Sequence, residues 1–166
     1  MKAIDIIRHG LALTEKRALG LMEDMKDSPM TCPTAKGGNH PLWTVGHCTF
    51  AESRIIESVA QGKPSAYANW ADLFGPGSTP SDDASKYPSY EELLLAFKKT
   101  RAGTLAFLDT LNDADLDQPA KGCPPERQAM MGTVGKCFSM LIVHLSYHTG
   151  QIADARRMLG RKPVFF

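Results

Sequence analysis

Five histidines are the residues of this chain best suited to chemistry: His9, His40, His47, His144 and His148. His144 and His148 lie four apart. On a helix that spacing stacks two imidazoles one turn apart on one face, where both can grip one ion. His47 stands between Trp43 and Ala51 on an apolar stripe, so a third ring turns toward the same interior. A buried imidazole whose nitrogens find no partner is costly. Two outcomes relieve that cost: hydrogen bonds to carbonyls or water, the ordinary fate of a core histidine, or a shared metal ion. Three neutral imidazoles on one ion leave a coordination position open, the arrangement of catalytic sites in contrast to closed structural ones. A water in that position is acidified toward neutral pH, and a substrate thiol can bind there as thiolate. Imidazole suits zinc, nickel, copper and iron alike. Zinc or nickel is the first expectation, with iron open.

Each ligand ring needs an acceptor for its second nitrogen. Glu52, one turn beyond His47, is one candidate, against the simpler expectation of a solvated surface charge. Cys48 follows His47 but points about 100° away around the helix, so it is left out. Cys137, one heptad before His144, reads as a small buried apolar residue. The four cysteines form no CxxC pair. They are expected as reduced thiols of a cytoplasmic protein, since a chain of 166 residues can build a core without disulfides.

The elements that must position these rings are helices. Ile4, Ile7, Leu11, Thr14, Ala18, Leu21 and Met25 step by three and four, which predicts a helix over about 3–25. A polar loop with Pro33, Gly37 and Gly38 follows. A second helix starts at Pro41, capped by Asn39 or His40, and runs to Gly62-Lys63-Pro64 with the stripe Trp43, His47, Ala51, Ile55 and Val59. Residues 63–88 form a long connection whose Tyr67, Trp70, Leu73 and Phe74 must pack over the domain. Ser89 and Glu92 form a capping box for a third helix ending near Asn112. After a loop over about 112–132, Thr133 caps a fourth helix that carries Phe138, Leu141, Leu145, His148 and Ile152 on one face. Gly160 stops it, and Arg156, Arg157 and Arg161 suit the negative end of its dipole. Four amphipathic helices without a strand signal predict an all-α four-helix bundle, one domain over 1–166, with its long connection between helices two and three.

Composition narrows the function. Lys and Arg number 19 against 18 Asp and Glu, a balance that argues against a nucleic-acid partner. Aliphatic runs such as Met140 to Val143 are far short of the roughly 20 residues that span a bilayer, and the N-terminal alternation of apolar and charged residues is no signal-peptide core. Ile6-Ile7-Arg8-His9-Gly10 imitates the opening of the histidine phosphatases, but its apolar period is helical where a strand is required, which leaves that activity a remote alternative. Neither Glu-x-x-His nor HExxH occurs, so di-iron and zinc-protease sites are set aside.

The string His144-Leu-Ser-Tyr-His-Thr-Gly-Gln-Ile, then Arg156-Arg157-Met158-Leu159-Gly160 and Pro163, resembles the closing helix of the DinB-like family. Pro41 to His47 with Glu52 resembles that family's second helix, and Trp70 to Gly75 its middle loop. The resemblance implies a four-helix bundle, often a homodimer, with a divalent metal on His47, His144 and His148. It also implies a metal-dependent enzyme acting on small molecules, a hydrolase or a transferase using a low-molecular-weight thiol. On that expectation the 63–88 loop caps the pocket with Trp70 and Phe74 as walls. The other class it leaves open is a non-catalytic, stress-related binding or dimerisation bundle.

Overall fold

The computed structural model describes residues 2–32 and 38–164, so Pro33 and Gly37 of the first loop lie outside the described residues. Four long helices make the bundle: α1 (Ala3–Met25), α2 (Pro41–Ser53), α4 (Tyr90–Asp109) and α6 (Val134–Met158). Two single-turn helices, α3 (Ala71–Phe74) and α5 (Gln128–Met131), lie in the two long connections. Among the described residues there is no strand; Pro119 and Thr133 form an isolated bridge.

Local chemistry sets the helix ends. His40 caps α2: its Nδ1 accepts the Trp43 N–H at 3.1 Å, and Pro41 occupies the first helical position. At α4 the capping box forms in both directions, Ser89 N–H to Glu92 at 2.8 Å and Glu92 N–H to the Ser89 hydroxyl at 3.2 Å. Thr133 caps α6 through the Lys136 N–H at 3.3 Å. That helix closes on Gly160 at φ 72°, with the Gly160 and Arg161 N–H groups bonded back to the Arg157 and Arg156 carbonyls.

The α1 seam is buried as its spacing predicts, from Ile7 and Leu11 through Ala18 to Met25. It packs against α6, while α2 packs against both α4 and α6. Arg156 and Arg161 do more than suit a helix dipole. They bind Asp24 at 2.7 and 3.2 Å, and Arg156 is buried, so the C-terminal ends of α1 and α6 are tied together.

The end of the second helix departs from the α-helical expectation. Arg54–Ala60 is a π-helix, a widened turn of the kind often found at functional sites. The second long connection docks on it: the Lys121 and Gly122 N–H groups donate to the Ala60 and Val59 carbonyls at 3.3 and 2.9 Å. Residue 122 must be glycine for this approach, because a Cβ there would overlap the Ser58 carbonyl.

Candidate metal centre

His47 leaves α2 toward α6, and two neighbours fix its ring. Trp43, one turn earlier, stacks on it with ring centres 4.5 Å apart and planes 10° from parallel. The indole is itself held by its N–H to the Leu73 carbonyl at 3.0 Å. The Phe74 carbonyl lies 2.7 Å from His47 Nδ1 and accepts its proton, which leaves Nε2 as the lone-pair nitrogen. Gly46 makes room for this, since a Cβ at that position would overlap the fully buried Phe74 ring.

His144 and His148 project from successive turns of α6, with ring centres 4.5 Å apart. His148 is buried, and its Nδ1 lies 2.7 Å from the Gln151 side-chain oxygen, so Nδ1 carries the proton. The same oxygen accepts the Asn39 amide at 3.3 Å. The His47 ring centre lies 5.1 Å from that of His144 and 4.7 Å from that of His148.

The three rings therefore meet at one place, and their ligand atoms all lie within 4.8 Å of one another. His47 Nε2 and His144 Nε2 are 3.1 Å apart. Nitrogens bonded to one tetrahedral ion at about 2.05 Å sit roughly 3.3 Å from each other, so this donor set fits a metal ion. Burial keeps the rings neutral. It pushes the His144 imidazole down to about 3, aided by His148 and His47, and that of His148 down to about 4, aided by His47. His47 is also lowered by burial, against the pull of the Phe74 carbonyl. Neutral imidazoles offer lone pairs, the form in which histidine binds metal.

The DinB superfamily's sequence model matches residues 11–152. The chain belongs to the DinB superfamily. A conserved protein of Enterococcus faecalis, known from its crystal structure, shares the fold at 16% identity and a TM-score of 0.74. The match covers 97% of this chain and 99% of that one. No curated protein sequence matches.

In this DinB-superfamily chain the three predicted ligands come together, and the other predictions around them divide. Glu52 is neither an acceptor for His47 nor a solvated charge. It faces the opposite side of α2, buried, in an ion pair with Arg101 at 2.7 Å. The true acceptors are the Phe74 carbonyl and Gln151. The first, a backbone atom, carries no side-chain signal; the second is a polar side chain three residues after His148 on the same helix, a spacing that the sequence displays. Cys48 and Cys137 are buried, and Cys137 donates to the Met131 carbonyl at 3.4 Å. All four cysteines are free. His9 is exposed in the middle of α1, where the phosphatase alternative needs a strand.

Beside the histidines opens a cavity of about 320 Å³, lined by His47 and His144. Trp70 and Phe74 are not in its wall, contrary to expectation. Phe74 is drawn under the 63–88 connection against Gly46, and Trp70 packs on it with ring centres 5.2 Å apart. Of that connection only Pro76 lines the cavity. Gly122, Pro124, Arg127, Met130 and Met131 come from the 112–132 connection, because its hydrogen bonds to the π-helix fold it over this side.

Proposed function

We propose that the protein holds a divalent metal ion, zinc or nickel, on His47, His144 and His148, and works as a metal-dependent enzyme on small molecules. The single observation that carries this reading is the convergence of three neutral imidazoles whose ligand atoms lie within 4.8 Å of one another. The bound metal supplies Lewis-acid chemistry and an open position for water or a thiol. The chain's own groups prepare for it. The Phe74 carbonyl and the Gln151 side chain hold protons on the far nitrogens of His47 and His148, which aims both Nε2 lone pairs inward. Trp43 keeps the His47 ring from turning. The apolar cavity against His47 and His144 takes the substrate and limits water there. The reaction class is hydrolysis or transfer to a low-molecular-weight thiol, and a reducing cytoplasm, supported by the four free thiols, is the compartment we assign.

Metal content of untagged protein is the first test, with close to one ion per chain expected. Less than about a tenth of an equivalent, unrestored by added zinc or nickel, overturns the proposal, because an intact three-imidazole site binds such ions firmly. A panel of thiol and ester substrates then tests catalysis. Turnover that survives His144→Ala refutes the metal mechanism.

A second copy of the chain is the macromolecular partner we propose. Ile6 and Leu13 on α1 and Val143 and Tyr147 on α6 are large apolar side chains left exposed on two helices that pack together. Sedimentation should give twice the chain mass, and Val143→Glu with Tyr147→Glu should return the monomer. A wild-type monomer at all concentrations removes this partner.

A further inference from the structure

The cavity beside the histidines carries an imbalance of charge. Phe50, Ile55, Val59, Met131 and Met140 give it apolar walls. Arg54 and Arg127 are the charged residues lining it, beside the neutral His47 and His144, and no carboxylate lines it. Both arginines are half-buried. Neither side chain makes a hydrogen bond or ion pair with another described residue. Elsewhere Arg8, Arg101, Arg156 and Arg161 each pair with a carboxylate.

Two guanidinium groups of like charge, held against apolar walls with no counter-ion from the chain, make the cavity receptive to an anion. A guanidinium presents parallel N–H donors that match a carboxylate. Each arginine sits on an anchored element. Arg54 opens the π-helix, and Arg127 ends the 3₁₀ turn Pro125–Arg127 in the connection bonded to that helix. The methionines beside them adapt to irregular apolar shapes. The volume of about 320 Å³ lies near the lower end of small-molecule pockets, which suits a small ligand.

The geometry points to a small organic carboxylate as the molecule this cavity binds, its charge on Arg54 and Arg127 and its apolar body among Phe50, Met131 and Met140, against His47 and His144. This rests on the proposed function only in making that molecule the substrate of the histidine site.

The test titrates 4-phenylbutyrate and its neutral amide, 4-phenylbutyramide, into protein carrying ¹³C-methyl methionine, both metal-free and zinc-loaded. The acid is expected to shift the Met131 and Met140 methyl resonances in both states. It should bind about tenfold tighter than the amide, the scale of one charge-assisted hydrogen bond. Arg54→Gln with Arg127→Gln should abolish that preference and leave the amide affinity in place. Equal affinity of wild type for acid and amide overturns the inference, as does absence of shifts at these methionines. An acid preference that appears only with zinc also overturns it, since the histidine centre then holds the carboxylate. A preference in metal-free protein that takes up no zinc sustains the anion pocket while the metal reading fails.

Discussion

Helix α2 contributes to two polar clusters on opposite sides, and they are built on opposite principles. Toward α4, Glu52 and Arg101 are 3% and 1% exposed and meet at 2.7 Å. Arg101 also donates to the Leu11 carbonyl at 3.3 Å, which links α1, α2 and α4. Burial pushes the Glu52 carboxyl up while the Arg101 charge pulls it down. The adjoining Cys48 thiol is pushed up by burial as well, away from reactivity. Toward α6, His47, His144 and His148 are neutral, and the partners of His47 and His148 lie behind them, on the outer nitrogens. Polar groups that consume one another's charge make scaffold. Polar groups held from behind, with lone pairs turned to a common point beside a cavity, make a site.

Truncating the ion pair should produce the largest effect. Arg101→Ala leaves a buried carboxylate alone and is expected to cost about 3–5 kcal/mol in urea denaturation, with metal stoichiometry unchanged in the folded fraction. Replacing the pair together, Glu52→Leu with Arg101→Met, should return most of that stability. Loss of metal from either folded variant would break the separation of the two clusters.

His148→Ala reverses the pattern. Metal affinity, followed by competition with a chromogenic chelator, should fall at least about a hundredfold, while metal-free stability changes far less. Gln151→Ala sharpens the comparison by removing the hold on His148, and with it an acceptor of the Asn39 amide, while leaving all three imidazoles in place; a loss of about tenfold to a hundredfold in metal affinity is expected.

The smallest effect concerns His40, a buried histidine outside the site. Its Nδ1 accepts the Trp43 N–H, and its Nε2 donates to the Ser81 carbonyl at 3.0 Å, so both nitrogens are spent on structure. His40→Ala should cost about 1 kcal/mol at neutral pH, the usual worth of an N-cap. Burial lowers the His40 imidazole below its ordinary value, against the Ser81 carbonyl and Asp82, which favour its charge. The unfolded chain therefore takes up the proton first. The stabilisation is complete above about pH 6.5 and is lost as pH falls below it. The stability gap between wild type and His40→Ala should shrink on acidification, and a gap that widens toward acid would contradict this.

How far these features were legible depends on their range along the chain. The α1 seam, the Ser89–Glu92 box, the Thr133 cap and the Gly160 stop depend on residues a few positions apart, and all are read directly from spacing. The inward faces of His47 and His148 follow from the same periodicity. Arg101 shows where that logic ends: a charged residue on a stripe of leucines and phenylalanines is buried because Glu52 meets it from another helix. The Phe74 carbonyl, 27 positions from His47, is a backbone atom whose residue type announces nothing.

The amino-acid sequence by itself determined that the chain forms helices, which face of each is apolar, and that three imidazoles turn inward. Only the tertiary structure decided what stands opposite each face. It chose Arg101 for Glu52, the Phe74 carbonyl for His47, and the 112–132 connection over the 63–88 connection as the main loop lining the cavity. Periodicity follows from the geometry of one helix, whereas partners depend on how separate helices and loops close around a shared interior.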